Sequence, residues 1–276
     1  RYASTDFPVF DDLLADFIPD QPAVEAACFG LAGPTDGRTA RLTYLPWHLD
    51  AADLERRFAI GRVALANDFA VAAQGLPLVR NSELLTLHPG RPVERAPRVI
   101  LGAGTGLGVA GLVWQDGGYR VIPGEGGHVG FAPQTPEQGD LWRWLLGQYG
   151  RVTTEDLVSG PGLARIHAFL GGRPQQPGEI GNAALAGSDP LAVAALRLWL
   201  ACYGAFAGDL ALHWLARGGV YLAGGIAARL MPHTDNRPFI DAFLAKREHR
   251  GLALDMPLHL VTAEDLGLRG ALACAA

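Results

Sequence analysis

The stretch RVILGAGTGLG, residues 98–108, decides how the chain is read. RVIL at 98–101 reads as a strand that runs straight into glycines at 102, 104, 106 and 108. Residues 109–114 continue extended, Asp116-Gly117-Gly118 marks a turn, and Tyr119 to Ile122 return. The pattern is a glycine-rich hairpin rather than a strand followed by a helix. Gly106, Gly108 and Gly111 do satisfy G-x-G-x-x-G. A dinucleotide-binding fold needs a helix at that point, and the turn at Asp116 leaves no room for one. Glycines let backbone N–H groups approach an anion closely, and Thr105 adds a hydroxyl donor. A phosphate cradle needs that chemistry, although a tight turn or bulge would use the same glycines.

Upstream, residues 7–18 place apolar side chains at 7, 10, 13, 14, 17 and 18, which is helical spacing, and Pro19 follows as a stop. EAACFGL at 25–31 reads as a buried strand. Asp36-Gly37 marks a turn, and Arg38 to Tyr44 reads as the return strand of a hairpin. Asp50 is placed to cap a helix over Ala51 to Phe58. Arg62 to Ala66 is a strand, and Asn67-Asp68 opens a helix through Gln74. Downstream the pattern turns mainly helical, over 141–149, 154–158, 161–170, 190–200 and 203–216, with 171–181 as an exposed loop. Residues 219–223 and 258–263 read as strands, and a short helix ends the chain. Strands cluster early, helices dominate the middle and one strand returns late. That order implies an α/β chain of two lobes whose end rejoins the first.

Composition narrows the classes. The 276 residues are 49% hydrophobic and 18% charged, enough apolar material for a sizeable core. The net charge of −5 argues against electrostatic binding to nucleic acid or an acidic membrane. Of 23 basic residues only Lys246 is a lysine. A P-loop requires a lysine after its last glycine, and a protein kinase requires one on an early strand. Lys246, in DAFLAKREHR, has neither context. Cys28, Cys202 and Cys274 are too few and too scattered for a disulfide framework or a zinc site. The apolar block from Leu191 to Leu215 is interrupted by Arg197 and Asp209. The first stretch carries Asp6, Asp11, Asp12 and Asp16, unlike a signal peptide. A soluble, cytoplasmic location is expected.

Four further places could do chemistry. Asn67-Asp68 falls where a strand ends and a helix begins, the end of open α/β sheets at which ligands collect. An aspartate there can take a proton from a bound hydroxyl, or merely cap its helix. In GEGGH, residues 124–128, Glu125 and His128 flank two glycines, so the chain can bend both side chains toward one small ligand. One histidine and one glutamate without cysteines make a weak metal set, and no metal site is expected. Glu155, in TTEDLVSGPG, has a sufficient structural reason in the first turn of a helix started by Thr153 or Thr154. Gly224-Gly225 after VYLA is a place of close backbone approach. His48, His213 and His259 lie among apolar residues, and Trp142 and Trp144 read as helix packing.

Taken in order, LANDF at 65–69, LGAGTGLGVA at 101–110, PGEGGHVGFAP at 123–133, LVSGPGL at 157–163 and YLAGGI at 221–226 resemble the bacterial glucokinase family. The resemblance runs from about residue 2 to the end. It implies the two-lobed actin/hexokinase-like (ribonuclease H-like) α/β sugar kinase fold. The small domain would take residues 1–80 plus 264–276, and the large domain residues 81–263. It implies an ATP- and Mg²⁺-dependent kinase that converts D-glucose to glucose 6-phosphate, expected as a homodimer. By resemblance Asp68 is the general base for the sugar 6-hydroxyl, and Asn67, Glu125, His128 and Glu155 hold sugar hydroxyls. Gly102, Gly104, Thr105 and Gly106 belong to the phosphate loop, and Gly224, Gly225 and Gly160 to the nucleotide side. FAPQTPEQ stands where the zinc-binding branch carries a cysteine cluster, so the zinc-free branch is the better match.

Two departures matter. The family opens with a hairpin carrying an Asp-x-Gly-Gly-Thr-like motif, and Arg1 to Asp20 match what normally follows it. Tyr44 stands where the family tends to have asparagine near the sugar. The alternatives are therefore a sugar-binding protein without kinase activity, or a kinase for another hexose.

Overall fold

The computed structural model describes residues 2–18, 24–42 and 45–276. Pro19 and Tyr44 lie outside the described residues. The chain divides into two compact units, residues 1–79 with 264–276, and residues 80–263.

The first unit begins with helix α1 (Phe10–Phe17), which buries Leu14. Strand β1 (Ala26–Leu31) follows, then the short strands β2 (Thr39–Arg41) and β3 (His48–Asp50). Helix α2 (Ala51–Phe58) is capped by Asp50, whose side chain accepts the Ala52 and Asp53 N–H groups. Strand β4 (Arg62–Asn67) runs into helix α3 (Asp68–Gly75). Phe10 packs its ring edge-on against Phe29 at 5.0 Å, joining Trp47, Leu49, Leu54 and Val63 in one core. The expected hairpin return of β1 does not form. β1 pairs in parallel with β4, whereas β2 pairs antiparallel with β3. The turn at Asp36-Gly37 exists, but it closes only a bridge from Thr35 to Ala40. Asp36 holds this turn by accepting the Arg38 and Thr39 N–H groups. Arg38 then leads across to α2, donating to both carboxylate oxygens of Glu55 at 2.8 and 2.9 Å. Glu55 also accepts the Val63 N–H of β4 at 2.8 Å. These bonds hold its carboxyl at about 2, below its ordinary value of 4.5.

The second unit is built on one six-stranded sheet. Strands β5 (Leu84–His88), β6 (Arg98–Ala103), β7 (Leu107–Gln115) and β8 (Gly118–Gly124) come first. Four helices follow: α4 (Pro136–Tyr149), α5 (Gly160–Phe169), α6 (Pro177–Ala186) and α7 (Pro190–Trp214). Then come β9 (Val220–Ala223), α8 (Gly225–Leu230), α9 (Arg237–Leu244), α10 (Arg250–Leu254) and β10 (Leu258–Val261). The sheet order is β5-β10-β9-β6-β7-β8. β6, β7 and β8 are antiparallel neighbours joined by tight turns. β9 enters parallel to β6, a pairing that requires the long helical crossover between them. The last helix, α11 (Leu266–Ala275), belongs to the first unit and packs on α3 and β1.

Three expectations change in this unit. The segments 190–200 and 203–216 are one helix of 25 residues. Its window of mean hydropathy 1.6 is long and apolar enough to cross a membrane, but 72% of it is buried inside the protein. Trp199 and Tyr203 anchor it, donating to the Ser159 and Leu101 carbonyls at 3.2 and 3.3 Å. The exposed loop at 171–181 ends early, because Pro177 starts α6 with Glu179 bonded back to the Gln176 N–H. Residues 154–158 form turns rather than a helix. Lys246 is buried, its Nζ donating to the Ala205 carbonyl at 2.8 Å and to Asp209 Oδ1 at 2.5 Å. The three cysteines are free thiols. Burial, with Cys274 alongside, pushes Cys28 up to about 12.

Candidate active site

In the first unit the site residues stand at the β4–α3 junction. Asn67, not Asp68, is the helix cap: its Oδ1 accepts the Phe69 and Ala70 N–H groups at 3.0 and 3.1 Å. Capping by Asn67 leaves Asp68 in the first turn with an exposed side chain. Asp68 Oδ1 accepts the Phe69 N–H at 2.7 Å. A carboxylate held through one oxygen keeps the other for a proton from a bound hydroxyl.

In the second unit the glycine turn joins β6 to β7. The Gly104 N–H donates to the Gly106 carbonyl at 2.8 Å, closing the turn, and Thr105 is exposed at its tip. Gly102 lies just before it, buried in β6 and paired to Gly108 on one side and Ala223 on the other. Glu155 is fixed to this turn. Its Oε2 accepts the Leu107 N–H at 2.8 Å. The approach is so close that a Cβ on residue 106 would stand 2.6 Å from the same oxygen. Glu155 therefore serves the turn instead of the first turn of a helix. Ser159 instead caps α5, accepting the Gly162 N–H at 3.0 Å.

Glu125 and His128 stand on the adjoining segment. A single 3-10 turn over Gly126–His128 brings Glu125 Oε2 to 3.9 Å from His128 Nε2, with both side chains mostly exposed. The Glu155 N–H donates to the Gly127 carbonyl at 2.9 Å, and Arg151 donates to the His128 carbonyl at 3.1 Å. Glu125, His128, Glu155 and the glycine turn are thus one stitched assembly. Two carboxylates and an imidazole make a set suited to a polyhydroxylated ligand.

Behind the turn opens a cleft of about 820 Å³. Gly104, Thr105, Gly160 and Gly225 line it together. The Gly160 N–H, opening α5, donates to the Gly104 carbonyl at 2.8 Å. Gly224 has φ 91°, a conformation that favours glycine, and a Cβ there would lie 2.3 Å from the Ala103 carbonyl oxygen. Gln176 and Arg229 also line this cleft, and sequence reading passed over both. Their signals are weak: Gln176 lies in a proline- and glycine-rich segment, and Arg229 is one of 22 arginines.

The glucokinase family model matches residues 1–276. A glucokinase of Nostoc sp. is 39% identical over 308 aligned positions, covering 100% of this chain and 90% of its own. One from Chromobacterium violaceum is 35% identical, covering 96% and 78%. The crystal structure of a glucokinase from an Antarctic psychrotroph superposes with TM-score 0.86 at 28% identity, covering 99% of this chain and 88% of that one. The fold is accordingly actin/hexokinase-like. Matched along its whole length by the family model and by relatives of 35–39% identity, the chain belongs to the glucokinase family of ATP-dependent, glucose-phosphorylating kinases.

Proposed function

We propose that this chain transfers the γ-phosphoryl group of ATP to the 6-hydroxyl of D-glucose, with Asp68 as the general base. The observation that supports this most directly is the bond from the Leu107 N–H to Glu155 at 2.8 Å. It ties a sugar-binding carboxylate to the phosphate turn in one rigid piece, which is what in-line transfer between two bound substrates requires. A Streptomyces griseus relative of the same fold is described in complex with glucose and AMPPNP, a sugar and a nucleotide analogue on one molecule.

Glucose is neutral and covered with hydroxyls. Asn67, Glu125, His128 and Glu155 would accept or donate to those hydroxyls, and a sugar lacking one leaves a polar group unpaired. Asp68 takes the proton from the 6-hydroxyl as it attacks. Gly102, Gly104, Thr105 and Gly106 hold the phosphates, and Gly160, Gly224 and Gly225 the nucleoside side.

Mg²⁺ would arrive on the nucleotide. Among the described residues no group of three or more His, Cys, Asp or Glu could cage a metal ion. The ion supplies neutralisation of phosphate charge. We further propose a homodimer in the cytoplasm, without nucleic-acid or membrane partners.

The test is Asp68→Asn. Turnover of glucose to glucose 6-phosphate should fall by about 10²–10⁴-fold, while glucose binding measured by calorimetry stays within a few-fold. Full turnover in the variant, or lost glucose binding with turnover intact, would remove Asp68 from this role.

A further inference from the structure

Two arginines line the cleft behind the glycine turn, and they differ in what they touch. Arg165 is engaged. Its Nη1 donates to the Asp156 carbonyl at 3.1 Å and stands 3.6 Å from Asp156 Oδ1, and its Nε reaches the Tyr149 hydroxyl at 3.3 Å. Arg229 faces no carboxylate within ion-pair distance among the described residues. Its Nη2 donates to Asn182 Oδ1 at 2.6 Å, an amide on α6.

That contact fixes the guanidinium without neutralising it. A guanidinium carries five N–H donors and two flat faces, and a single neutral acceptor consumes very little of that capacity. The surroundings suit a flat partner. Arg229 is four residues beyond Gly225 on α8, so the two share a helical face. Across from it Gly178 and Asn182 share a face of α6 in the same way. A Cβ on residue 178 would lie 3.5 Å from Arg229 Nη1. Glycines on both helices leave a slot, and Ile226 and Leu230 add apolar lining. One helical turn, about 5.4 Å, separates Arg229 from the glycine next to the phosphate turn. That is the base side of a nucleotide whose phosphates lie at Gly104–Gly106.

We infer that Arg229 is the residue that recognises the purine base of the phosphoryl donor, its guanidinium stacking on the ring, with Asn182 as the positioning residue. This rests on the reading of the cleft as the nucleotide site. Stacking of a fixed cation on an aromatic face is favourable, and lysine offers no flat face to replace it.

The experiment titrates wild type, Arg229→Ala, Arg229→Lys and Asn182→Ala with ADP by calorimetry. Tripolyphosphate inhibition and the KM for glucose are measured in parallel. Arg229→Ala should weaken ADP by about tenfold, with Arg229→Lys recovering little. Asn182→Ala should fall between wild type and Arg229→Ala. Tripolyphosphate inhibition and the KM for glucose should not move. ADP binding equal to wild type in Arg229→Ala overturns the inference alone. Equal weakening of ADP and tripolyphosphate overturns it too, because Arg229 would then be a phosphate ligand. A wild type that phosphorylates glucose but does not bind ADP overturns the reading of the cleft itself.

Discussion

Single residues carry the sharpest chemistry of the second unit, and Gly106 is the clearest. Any side chain there meets Glu155 Oε2 at 2.6 Å, so Gly106→Ala must push the carboxylate off the Leu107 N–H. The lost bond is a charge-assisted one, of the order of 1.5–3 kcal/mol. The KM for glucose should therefore rise by about tenfold or more, read in a steady-state assay. An unchanged KM would mean that Glu155 does not hold the sugar. Most of this was legible at the level of residue type. Asn67-Asp68, GEGGH and the glycine turn could all be singled out, because each combines a chain bend with a polar group. What could not be read was division of labour. Asn67 and Asp68 can both cap a helix, and which one does so depends on backbone angles at the junction. Glu155 is similar: its partner is 48 positions away at Leu107, and no local pattern announces it.

At the scale of elements, strands and helices with internal signals were readable and partners were not. Asp50 and its helix follow from capping chemistry alone. β2, in contrast, follows a hairpin signal at Asp36-Gly37 that predicts it as the return strand of β1. The residues of β1 instead pair in parallel with β4, 36 positions on, and β1 is half-buried for most of its length, with only Leu31 fully buried, rather than the buried strand its composition suggests. The local pattern of α7 predicts two helices because nothing in its sequence displays the packing of Trp199 and Tyr203 that carries it through as one. The three-way link of Arg38, Glu55 and Val63 holds the strand region together and gives it an acid signature. The Glu55 carboxyl lies at about 2 in the fold and near 4.5 when unfolded. Its contribution is therefore fully present above about pH 4.5 and is lost as pH falls toward 2. Glu55→Gln should be less stable than wild type at pH 7, with the gap closing at pH 2–3 in urea titrations followed by circular dichroism. A gap of constant size across that range would show that the ion pair contributes nothing.

For the whole molecule, a ligand that binds only the folded form stabilises it by mass action. Glucose at 100 times its dissociation constant should add about 2.7 kcal/mol, a rise of about 5 °C in the thermal midpoint. Galactose, which differs at one hydroxyl, should give a smaller rise at the same concentration. Equal shifts from both sugars would favour a less selective hexose kinase. The final helix, α11, packs on α3 and β1, and the early gathering of strands is the sequence feature that points to such a return. The pairing of buried Lys246 with the half-exposed Asp209 has a practical consequence of a different kind. Because it is the sole lysine among these residues, a protease that cleaves after lysine has one target within them, closed off while α9 and its flanking turn stay packed on α7. Its rate of cutting at that peptide bond is a clock for the opening of this one segment, readable on a gel without any label.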